Sequence, residues 1–245
     1  MEYNCVEGIY NNVFGIQNLV EPCEKYEAER FMMVSTDKAV NPTNVMDATK
    51  RMCEMIVQSA STYGRVKYSV TRFGNVLGSA GSVIPLFKRQ IANGDSVTLT
   101  DKRIIRYFMT IPEASQLVLQ SGALAKNGEL FVLDMGKPIR ILDLAENMIR
   151  LSGVQGIVEA GLRPGEKLFG ELLVKTEELD KTSNSMIFVE RDMPLSKAEV
   201  DERLDMLKEA CDLEDEDKAR EALRKAVPTF RSPEEVNKNV AENSK

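Results

Sequence analysis

Phe31-Met32-Met33-Val34-Ser35-Thr36-Asp37-Lys38 is an apolar run that ends in a hydroxyl, a carboxylate and an ammonium group. The apolar part predicts a short buried strand over residues 31–35. A helical pattern of apolar residues follows over 43–63, and a second apolar strand over 66–72. Strand, helix and strand in this order form a βαβ unit, which predicts a parallel sheet with a right-handed crossover.

The polar groups that follow the first strand are candidates for chemistry. In open α/β sheets, ligands bind beyond the carboxyl ends of the strands, which is where Thr36, Asp37 and Lys38 lie. Met46 and Lys50 are four residues apart and therefore share one face of the next helix. The alternative is that Asp37 and Lys38 form a surface ion pair and Lys50 is a solvated helix residue. Spacing alone leaves both interpretations open.

Two later loops have compositions that suit an anionic ligand. Residues 73–82 are rich in glycine and serine, which lets backbone amides approach a ligand closely, although an ordinary connection explains the loop equally well. Arg163-Pro164-Gly165-Glu166 presents a guanidinium that suits a phosphate, or is a Pro-Gly turn with an exposed arginine.

The remaining periodic segments complete an α/β pattern. They are helices over 6–27, 83–93, 112–125 and 140–151, and strands over 97–100 and 129–134. Residues 196–226 are amphipathic and highly charged, and predict two helices separated near 212–217. Such a region is usually a solvated helical face or a partner surface.

Composition excludes several classes of function. The 245 residues include 32 basic and 38 acidic side chains, a net charge of −6, which argues against nucleic acid and anionic membranes as partners. Histidine is absent, which excludes Ser-His-Asp and Cys-His catalysis. Acid–base chemistry therefore falls to carboxylates, lysines, tyrosines or hydroxyls.

The cysteines and the hydropathy predict a cytoplasmic chain. The four cysteines are scattered without a C-x-x-C pair, which favours reduced thiols over disulfides or a metal site. No apolar stretch approaches the roughly 20 residues that span a bilayer. The first residues lack the basic and apolar regions of a signal peptide. We expect no metal site and no membrane segment.

Four motifs in the same order carry a family resemblance. They are STDKAVNPTNVM at 35–46, RFGNVLGS at 72–79, RYFMT at 106–110 and LRPGEKL at 162–168. Together they closely resemble the CapD-like UDP-N-acetylhexosamine 4,6-dehydratases and epimerases of polysaccharide biosynthesis, in the extended short-chain dehydrogenase/reductase superfamily. The resemblance runs from the first residues to about position 175.

The resemblance implies an α/β fold with two domains. It implies a Rossmann-like parallel sheet whose first βαβ half is missing, a smaller mixed α/β substrate domain, and a helical C-terminal region. The corresponding boundaries are 1–78 with 107–135 for the dinucleotide-binding remnant, 79–106 with 136–195 for the nucleotide-sugar domain, and 196–245 for the charged helical region.

The resemblance also implies a reaction. NAD (or NADP) would take a hydride from C4 of a UDP-linked amino sugar, water would leave across C5 and C6, and the hydride would return to C6. Lys38 would be the base at C5, Asp37 the acid at the C6 hydroxyl, and Thr36 the partner of the C4 hydroxyl. Lys50 would hold the nicotinamide ribose. Met46 stands where most of the superfamily has a catalytic tyrosine, as in the large dehydratases of this group.

Further site residues follow from the same resemblance. Arg163 would bind the UDP diphosphate. The implied cofactor-binding residues are Asn12, Ser35, Lys50, Arg72 and Phe73. The implied substrate-binding residues are Asn75, Ser82, Val83, Arg106, Arg163 and Glu166.

Three departures from the family pattern set limits on these expectations. No G-x-G-x-x-G turn or P-loop is present, Asp47 stands where the family usually has glycine, and residues 152–161 look several residues short. We therefore expect a chain that opens inside the cofactor domain and binds NAD weakly or not at all on its own. A homo-oligomer or a complementing N-terminal chain would cover the exposed sheet edge.

Two alternative functions stay open. One alternative to the dehydratase is a non-catalytic remnant or partner-binding module. The other is a nucleotide-sugar epimerase of the same superfamily. Detection of a 4-keto-6-deoxy product would distinguish a dehydratase from an epimerase, which retains the C6 hydroxyl.

Overall fold

A computed structural model describes residues 1–152, 156–167, 179–190, 193–233 and 236. The helices are α1 (Cys5–Gly8), α2 (Gly15–Lys25), α3 (Val45–Tyr63), α4 (Val83–Ala92), α5 (Ile111–Leu124), α6 (Ile141–Ser152), α7 (Lys197–Asp212) and α8 (Glu216–Ala226). A π-helical segment, Ile9–Phe14, joins α1 to α2, and a 3-10 turn, Asp37–Ala39, follows the first strand.

The strands form one larger sheet and three short pairs. In chain order they are β1 (Arg30–Thr36), β2 (Lys67–Phe73), β3 (Asn75–Val76), β4 (Val97–Leu99), β5 (Ile105–Arg106), β6 (Phe108–Met109), β7 (Leu130–Leu133), β8 (Ile139–Arg140), β9 (Ile157–Glu159), β10 (Leu179–Lys181) and β11 (Ile187–Glu190). The larger sheet has the order β1-β2-β7-β11-β10, and the pairs are β3-β6, β4-β9 and β5-β8.

The register between β1 and β2 positions the site. The two strands are parallel, and Thr36 lies opposite Phe73. Their carboxyl ends therefore meet at one edge, which brings the residues after Thr36 beside the residues after Phe73. The crossover helix α3 packs on both strands. The βαβ unit predicted from residues 31–72 is present.

The sheet is buried on both faces near β7. Leu130 and Val132 belong to the core beneath α3, while Phe131 and Leu133 belong to a second core beneath α5. A continuous apolar strand with alternating faces in two cores is typical of a sheet covered by helices on both sides. A third cluster, which includes Phe87, joins α4, α6 and β4 below the candidate cleft.

The structure adds elements that the sequence did not predict. β11 extends the sheet antiparallel to β7, and β10 pairs antiparallel with β11 at the edge. Both lie within 136–195, the range assigned to the substrate domain, so part of that range hydrogen-bonds into the main sheet. The domain boundaries themselves stay a prediction. Leu168, the last residue of the fourth motif, and residues 153–155 within the segment that looked short lie outside the described residues.

The C-terminal helices pack against the body of the protein. α7 and α8 were expected to present a solvated face or a partner surface. Their apolar residues, among them Leu204, Leu207 and Leu223, are buried in the same core as α3, while charged residues such as Lys197 and Lys225 remain exposed to solvent. Across the described part of the chain, no helix combines the length and hydropathy that a bilayer crossing requires.

Candidate functional site

The polar residues that follow β1 form a hydrogen-bonded cluster. The Lys38 ammonium donates to Asp37 Oδ1 at 2.7 Å, and the Thr36 hydroxyl donates to the same oxygen at 2.9 Å. Thr36 also caps the 3-10 turn, because its Oγ1 accepts from the Lys38 amide at 3.3 Å. Asp37 is buried, while the Lys38 side chain is 28% exposed. A carboxylate thus lies beneath an ammonium group that solvent can reach.

The loop after β2 completes this cluster. Asn75 Oδ1 accepts from the Lys38 ammonium at 3.0 Å. A Cβ at Gly74 would lie 3.1 Å from Asp37 Oδ2, so the absence of a side chain there gives the carboxylate its space. Asn75 was predicted to lie along the nucleotide; the structure places its side-chain oxygen on Lys38.

The first two turns of α3 bring two more predicted residues to this edge. The Lys50 ammonium donates to the Val34 carbonyl at 2.8 Å, near the end of β1. Met46 is 44% exposed on the same helix. Neither residue shares a hydrogen bond with the Lys38 cluster among the contacts described; Lys50 instead contacts β1 at Val34.

A cleft of about 520 Å³ opens beside the cluster. It contains the glycine- and serine-rich loop and part of the α4 helix, together with all six predicted substrate residues. Those residues are Asn75, Ser82, Val83, Arg106, Arg163 and Glu166. A smaller pocket of about 310 Å³ adjoins it and contains Lys38, Asn44, Asp47, Arg106 and Arg163. The two cavities share both arginines.

The two arginines differ in burial and in the contacts that their guanidinium groups make. Arg106 is buried, donates to the Lys167 carbonyl at 2.7 Å, and lies 3.7 Å from the Glu166 carboxylate. Burial lowers the pKa of its guanidinium, while Glu166 opposes that shift. Arg163 is exposed at the rim of both cavities. Arg163 is therefore the cation more accessible to a ligand.

Ser82 and Val83 lie at the start of α4. Ser82 is the N-cap residue, but its side chain makes no capping hydrogen bond. Its hydroxyl is buried and has no hydrogen-bond partner within the described ranges. Unpaired amides at a helix N-terminus and a spare hydroxyl are groups that suit an anion.

Four predicted cofactor residues have internal partners or line a separate groove. The Ser35 hydroxyl donates to Glu54 at 2.6 Å, and Arg72 forms ion pairs with Glu54 and Glu190. The Asn12 amide donates to Thr49 at 2.9 Å. Phe73 lines an apolar groove with Val34, Val76, Ile111, Ala114, Ser115, Val118 and Leu119. The side chains of Ser35 and Arg72 are thus used inside the protein, and their roles at a cofactor stay predictions.

Comparison with known proteins gives the family. The family described as "Polysaccharide biosynthesis protein" matches residues 1–192. The chain belongs to this family. Capsular polysaccharide biosynthesis protein CapD from Staphylococcus aureus is 59% identical over 182 residues, which are 72% of this chain and 30% of CapD. A UDP-N-acetylglucosamine 4,6-dehydratase (inverting) from Campylobacter jejuni is 32% identical over 208 residues, 80% of this chain and 61% of that protein.

Solved structures agree on the fold. The structure of Pen from Bacillus thuringiensis has a TM-score of 0.72 at 34% identity, covering 80% of this chain and 62% of Pen. DesIV from Streptomyces venezuelae, a dTDP-glucose 4,6-dehydratase solved with NAD and TYD bound, has a TM-score of 0.62 at 19% identity and covers 66% of this chain and 56% of DesIV. The α/β Rossmann-like fold and the resemblance to the CapD-like group are confirmed. The chain spans less than a third of CapD.

Asp47, which the resemblance marks as a departure from the family's usual glycine, is a buried acidic residue of the site. Its carboxylate is buried at the small pocket, where Oδ2 accepts a hydrogen bond from the side-chain amide of Asn44 at 2.6 Å. Burial raises the pKa of Asp47, and the positive charge of Lys38 partly offsets the shift. Asp47 therefore adds a second buried carboxyl on the Lys38 side of the site.

Two functional contacts were missed at the sequence level. Glu54, which holds Arg72 and Ser35, gave no signal beyond being an acidic residue in an apolar helix face. Asn44 was not singled out, although an asparagine directly before a helical pattern is a typical N-cap, and its Oδ1 accepts from the Asp47 amide at 2.9 Å. No cluster of His, Cys, Asp or Glu within the described ranges has a geometry that would hold a metal ion.

Proposed function

We propose that this chain carries the elimination centre of a UDP-N-acetylhexosamine 4,6-dehydratase of polysaccharide biosynthesis. The observation that carries the proposal is the hydrogen-bonded group of Thr36, Asp37 and Lys38 beside a cleft that contains Arg106 and Arg163. The similarity to a Campylobacter protein named as such a dehydratase supports it.

The Lys38–Asp37 hydrogen bond can prepare both groups that an elimination needs. The two groups are 2.7 Å apart, so one proton can pass from the ammonium to the carboxylate. The transfer yields a neutral amine and a carboxylic acid, which are a base and an acid on one side of the substrate. Asn75 holds the Lys38 nitrogen from a second direction and orients it.

Lys38 and Asp37 then provide the base and the acid that the elimination needs. In a sugar with a keto group at C4, the Lys38 amine removes the proton from C5. The C6–O bond breaks, the Asp37 carboxylic acid gives its proton to the departing hydroxyl, and water leaves with a C5–C6 double bond formed. The Thr36 hydroxyl, which donates to Asp37 Oδ1 at 2.9 Å, is the group that we propose as the partner of the C4 oxygen.

The cleft suits the nucleotide diphosphate. Arg163 at the rim offers a planar guanidinium, and the start of α4 offers the Ser82 hydroxyl and backbone amides. The Glu166 carboxylate lies between Arg106 and Thr100, with 3.2 Å to the Thr100 hydroxyl, so it positions Arg106 and does not itself suit a phosphate.

The residues present fit one end of a nicotinamide cofactor. When bound, NAD would accept the hydride from C4 and return it to C6. Lys50, beside the exposed Val34, offers an ammonium for the ribose, and Met46 has no proton to transfer. The sequence has no glycine-rich turn for the pyrophosphate, so we propose that NAD binding by this chain alone is weak. Tight stoichiometric binding in calorimetric titration would contradict this.

A partner and a location belong to the same proposal. Across the described ranges β1 has one strand neighbour, and the apolar groove beside it includes Ile111 and Leu119, which are 52% and 75% exposed. A second copy or a complementing chain would cover this edge, which light scattering after size-exclusion chromatography measures. The four free cysteines suit the reducing cytoplasm.

The experiment supplies the 4-keto sugar directly, so that hydride transfer is not needed. A UDP-linked 4-keto-N-acetylhexosamine is incubated with the protein in D₂O. Mass spectrometry follows deuterium at C5 of the recovered 4-keto sugar and formation of the dehydrated product that has lost the C6 oxygen. We expect both with the natural chain, and a loss of about 100-fold or more in Lys38→Met. Asp37→Asn should lose the C6 elimination but retain part of the C5 exchange.

Lys102→Ala is the matched control and should leave both rates unchanged, since the Lys102 side chain is exposed and pairs with Glu159 at 3.9 Å at the surface. Exchange at C5 with the C6 hydroxyl retained would favour the epimerase. No exchange by the natural chain would favour the non-catalytic remnant and overturn the elimination centre.

A further inference from the structure

The C-terminal helices contact the chain directly beside the candidate site. We call residues 196–231 the C-terminal clamp; they lie beyond the family match over 1–192. We propose that the clamp positions the first turn of α3, and with it Met46 and Lys50, through a relay from Arg220 to Glu2 to the Val45 amide. Arg220 and Glu2 are positioning residues in this scheme, because neither touches the Lys38 cluster.

The relay is continuous. Arg220 Nη1 donates to Glu2 Oε2 at 2.8 Å, and its Nη2 donates to the Glu2 backbone carbonyl. The other carboxylate oxygen, Glu2 Oε1, accepts from the Val45 amide at 2.5 Å. One carboxylate thus connects α8 to α3.

The Val45 amide needs an acceptor from outside its helix. Val45 is the first residue of α3, and the first four amides of a helix have no partner within it. Val45 is fully buried, so water cannot readily replace the acceptor. A carboxylate at this end also interacts favourably with the helix dipole. Glu2 supplies it, and Arg220 fixes Glu2 in place.

Two more contacts hold the same region. The Arg231 amide donates to the Pro42 carbonyl at 3.0 Å, in the loop between the 3-10 turn and α3. Glu216 of α8 accepts from the amides of Cys5 and Val6 at the start of α1. The clamp therefore fixes both the chain segment that carries Glu2 and the loop that leads from Lys38 to α3.

The position of this turn decides where Lys50 reaches. Met46 and Lys50 lie in the first two turns of α3. The Lys50 ammonium lies 2.8 Å from the Val34 carbonyl oxygen. If the first turn frays, the backbone no longer holds these two side chains in one position, although the Lys38 cluster after β1 keeps its own hydrogen bonds. The relay does not depend on the proposed reaction, and its test needs neither substrate nor turnover.

The test is amide hydrogen exchange of the full chain, resolved over residues 43–52. Arg220→Ala should speed exchange of the first amides of α3 about fivefold to tenfold, the effect expected for loss of a helix cap. Arg220→Lys keeps a cation opposite Glu2 and should restore exchange most of the way. Lys225→Ala is the control on the same helix, since Lys225 pairs with Glu221 at the surface, and should change nothing in α3.

Unchanged exchange over 43–52 in Arg220→Ala would overturn the relay, as would a lysine variant no better than alanine. If Arg220→Ala speeds exchange throughout the chain, Glu2→Ala decides the matter. It removes the Val45 acceptor without altering α8, and faster exchange confined to the start of α3 supports the relay. No change there in Glu2→Ala would also overturn it.

Discussion

Burial disfavours the charged form of the Asp47 carboxyl. Its pKa is raised above its ordinary value of 3.8, mainly by burial. Below that value the carboxyl is protonated in both the folded and the unfolded chain, so it costs nothing. As pH rises through the folded pKa, the folded state must ionise a buried group and loses stability. We therefore expect Asp47→Asn to unfold at a higher temperature than the natural chain at pH 7.

Thermal unfolding at pH 7 and pH 5 measures this difference. The gain from Asp47→Asn should shrink towards zero as pH falls to the ordinary value of 3.8. Asp205→Asn, at an exposed position on α7, is the matched control and should show no such trend. A variant less stable than the natural chain at pH 7 would show that Lys38 and Lys167 stabilise the Asp47 carboxylate by more than burial costs.

At this scale the sequence predicts contacts that are close in the chain. Thr36, Asp37 and Lys38 are consecutive, and the strand that precedes them fixes where they emerge. Asn75 could be assigned to the site but not to Lys38, because their contact depends on the register of β1 against β2. Ser35 and Arg72 were predicted to hold a cofactor from their motifs alone, which do not reveal the buried Glu54 that binds both.

The Glu54–Arg72 pair joins elements that the chain brings together from a distance. Glu54 lies on α3, Arg72 on β2 and Glu190 on β11. Glu54 and Arg72 are both buried. Glu54→Leu removes the fully buried partner of Arg72 and leaves that charge with the partly exposed Glu190, so it should cost about 3 kcal/mol of unfolding free energy, the lower end for a broken buried pair. Removing both charges, in Glu54→Leu with Arg72→Met, should cost clearly less than the single change.

Urea unfolding at several pH values tests the pair. Burial alone would raise the pKa of Glu54, but the charge and hydrogen bonds of Arg72 outweigh it and hold the pKa below 4.5. Its contribution is therefore present above pH 4.5 and is lost as pH falls through the folded pKa. Glu54→Leu should lack this acid-dependent part. A double variant as unstable as Glu54→Leu would contradict the pairing.

Periodic elements were predictable, and short or unpatterned ones were not. The helices predicted over 43–63, 83–93 and 112–125 are present as α3, α4 and α5, because each is long enough to show a helical stripe. β10 and β11 have three and four residues, which is too short for a pattern. Their pairing depends on contacts distant in the chain, because β11 joins the sheet by pairing with β7. The π-helical segment Ile9–Phe14 cannot be distinguished from an α-helix by spacing.

At the scale of the whole molecule, the C-terminal helices complete the core on one side of the sheet. The sequence correctly predicted two amphipathic helices, but amphipathicity alone does not identify the surface that an apolar face covers. In the structure that face packs on α3, which also contacts β1 and β2. The helices should therefore unfold together with the sheet.

Two leucines of this region test whether the chain unfolds as one unit. Leu223 is fully buried in the core shared with α3, whereas Leu213 is 61% exposed between α7 and α8. Leu223→Ala should lower the free energy of unfolding by about 2–5 kcal/mol, and Leu213→Ala should change it by less than about 0.5 kcal/mol.

Urea unfolding is followed by far-UV circular dichroism for the helices and by tyrosine fluorescence, to which Tyr68 on β2 contributes. Because one core joins these parts, both signals should shift together in Leu223→Ala, with one transition. A shift in the helical signal alone would mean that α7 and α8 unfold separately, and that the relay through Arg220 acts on α3 only while they remain docked.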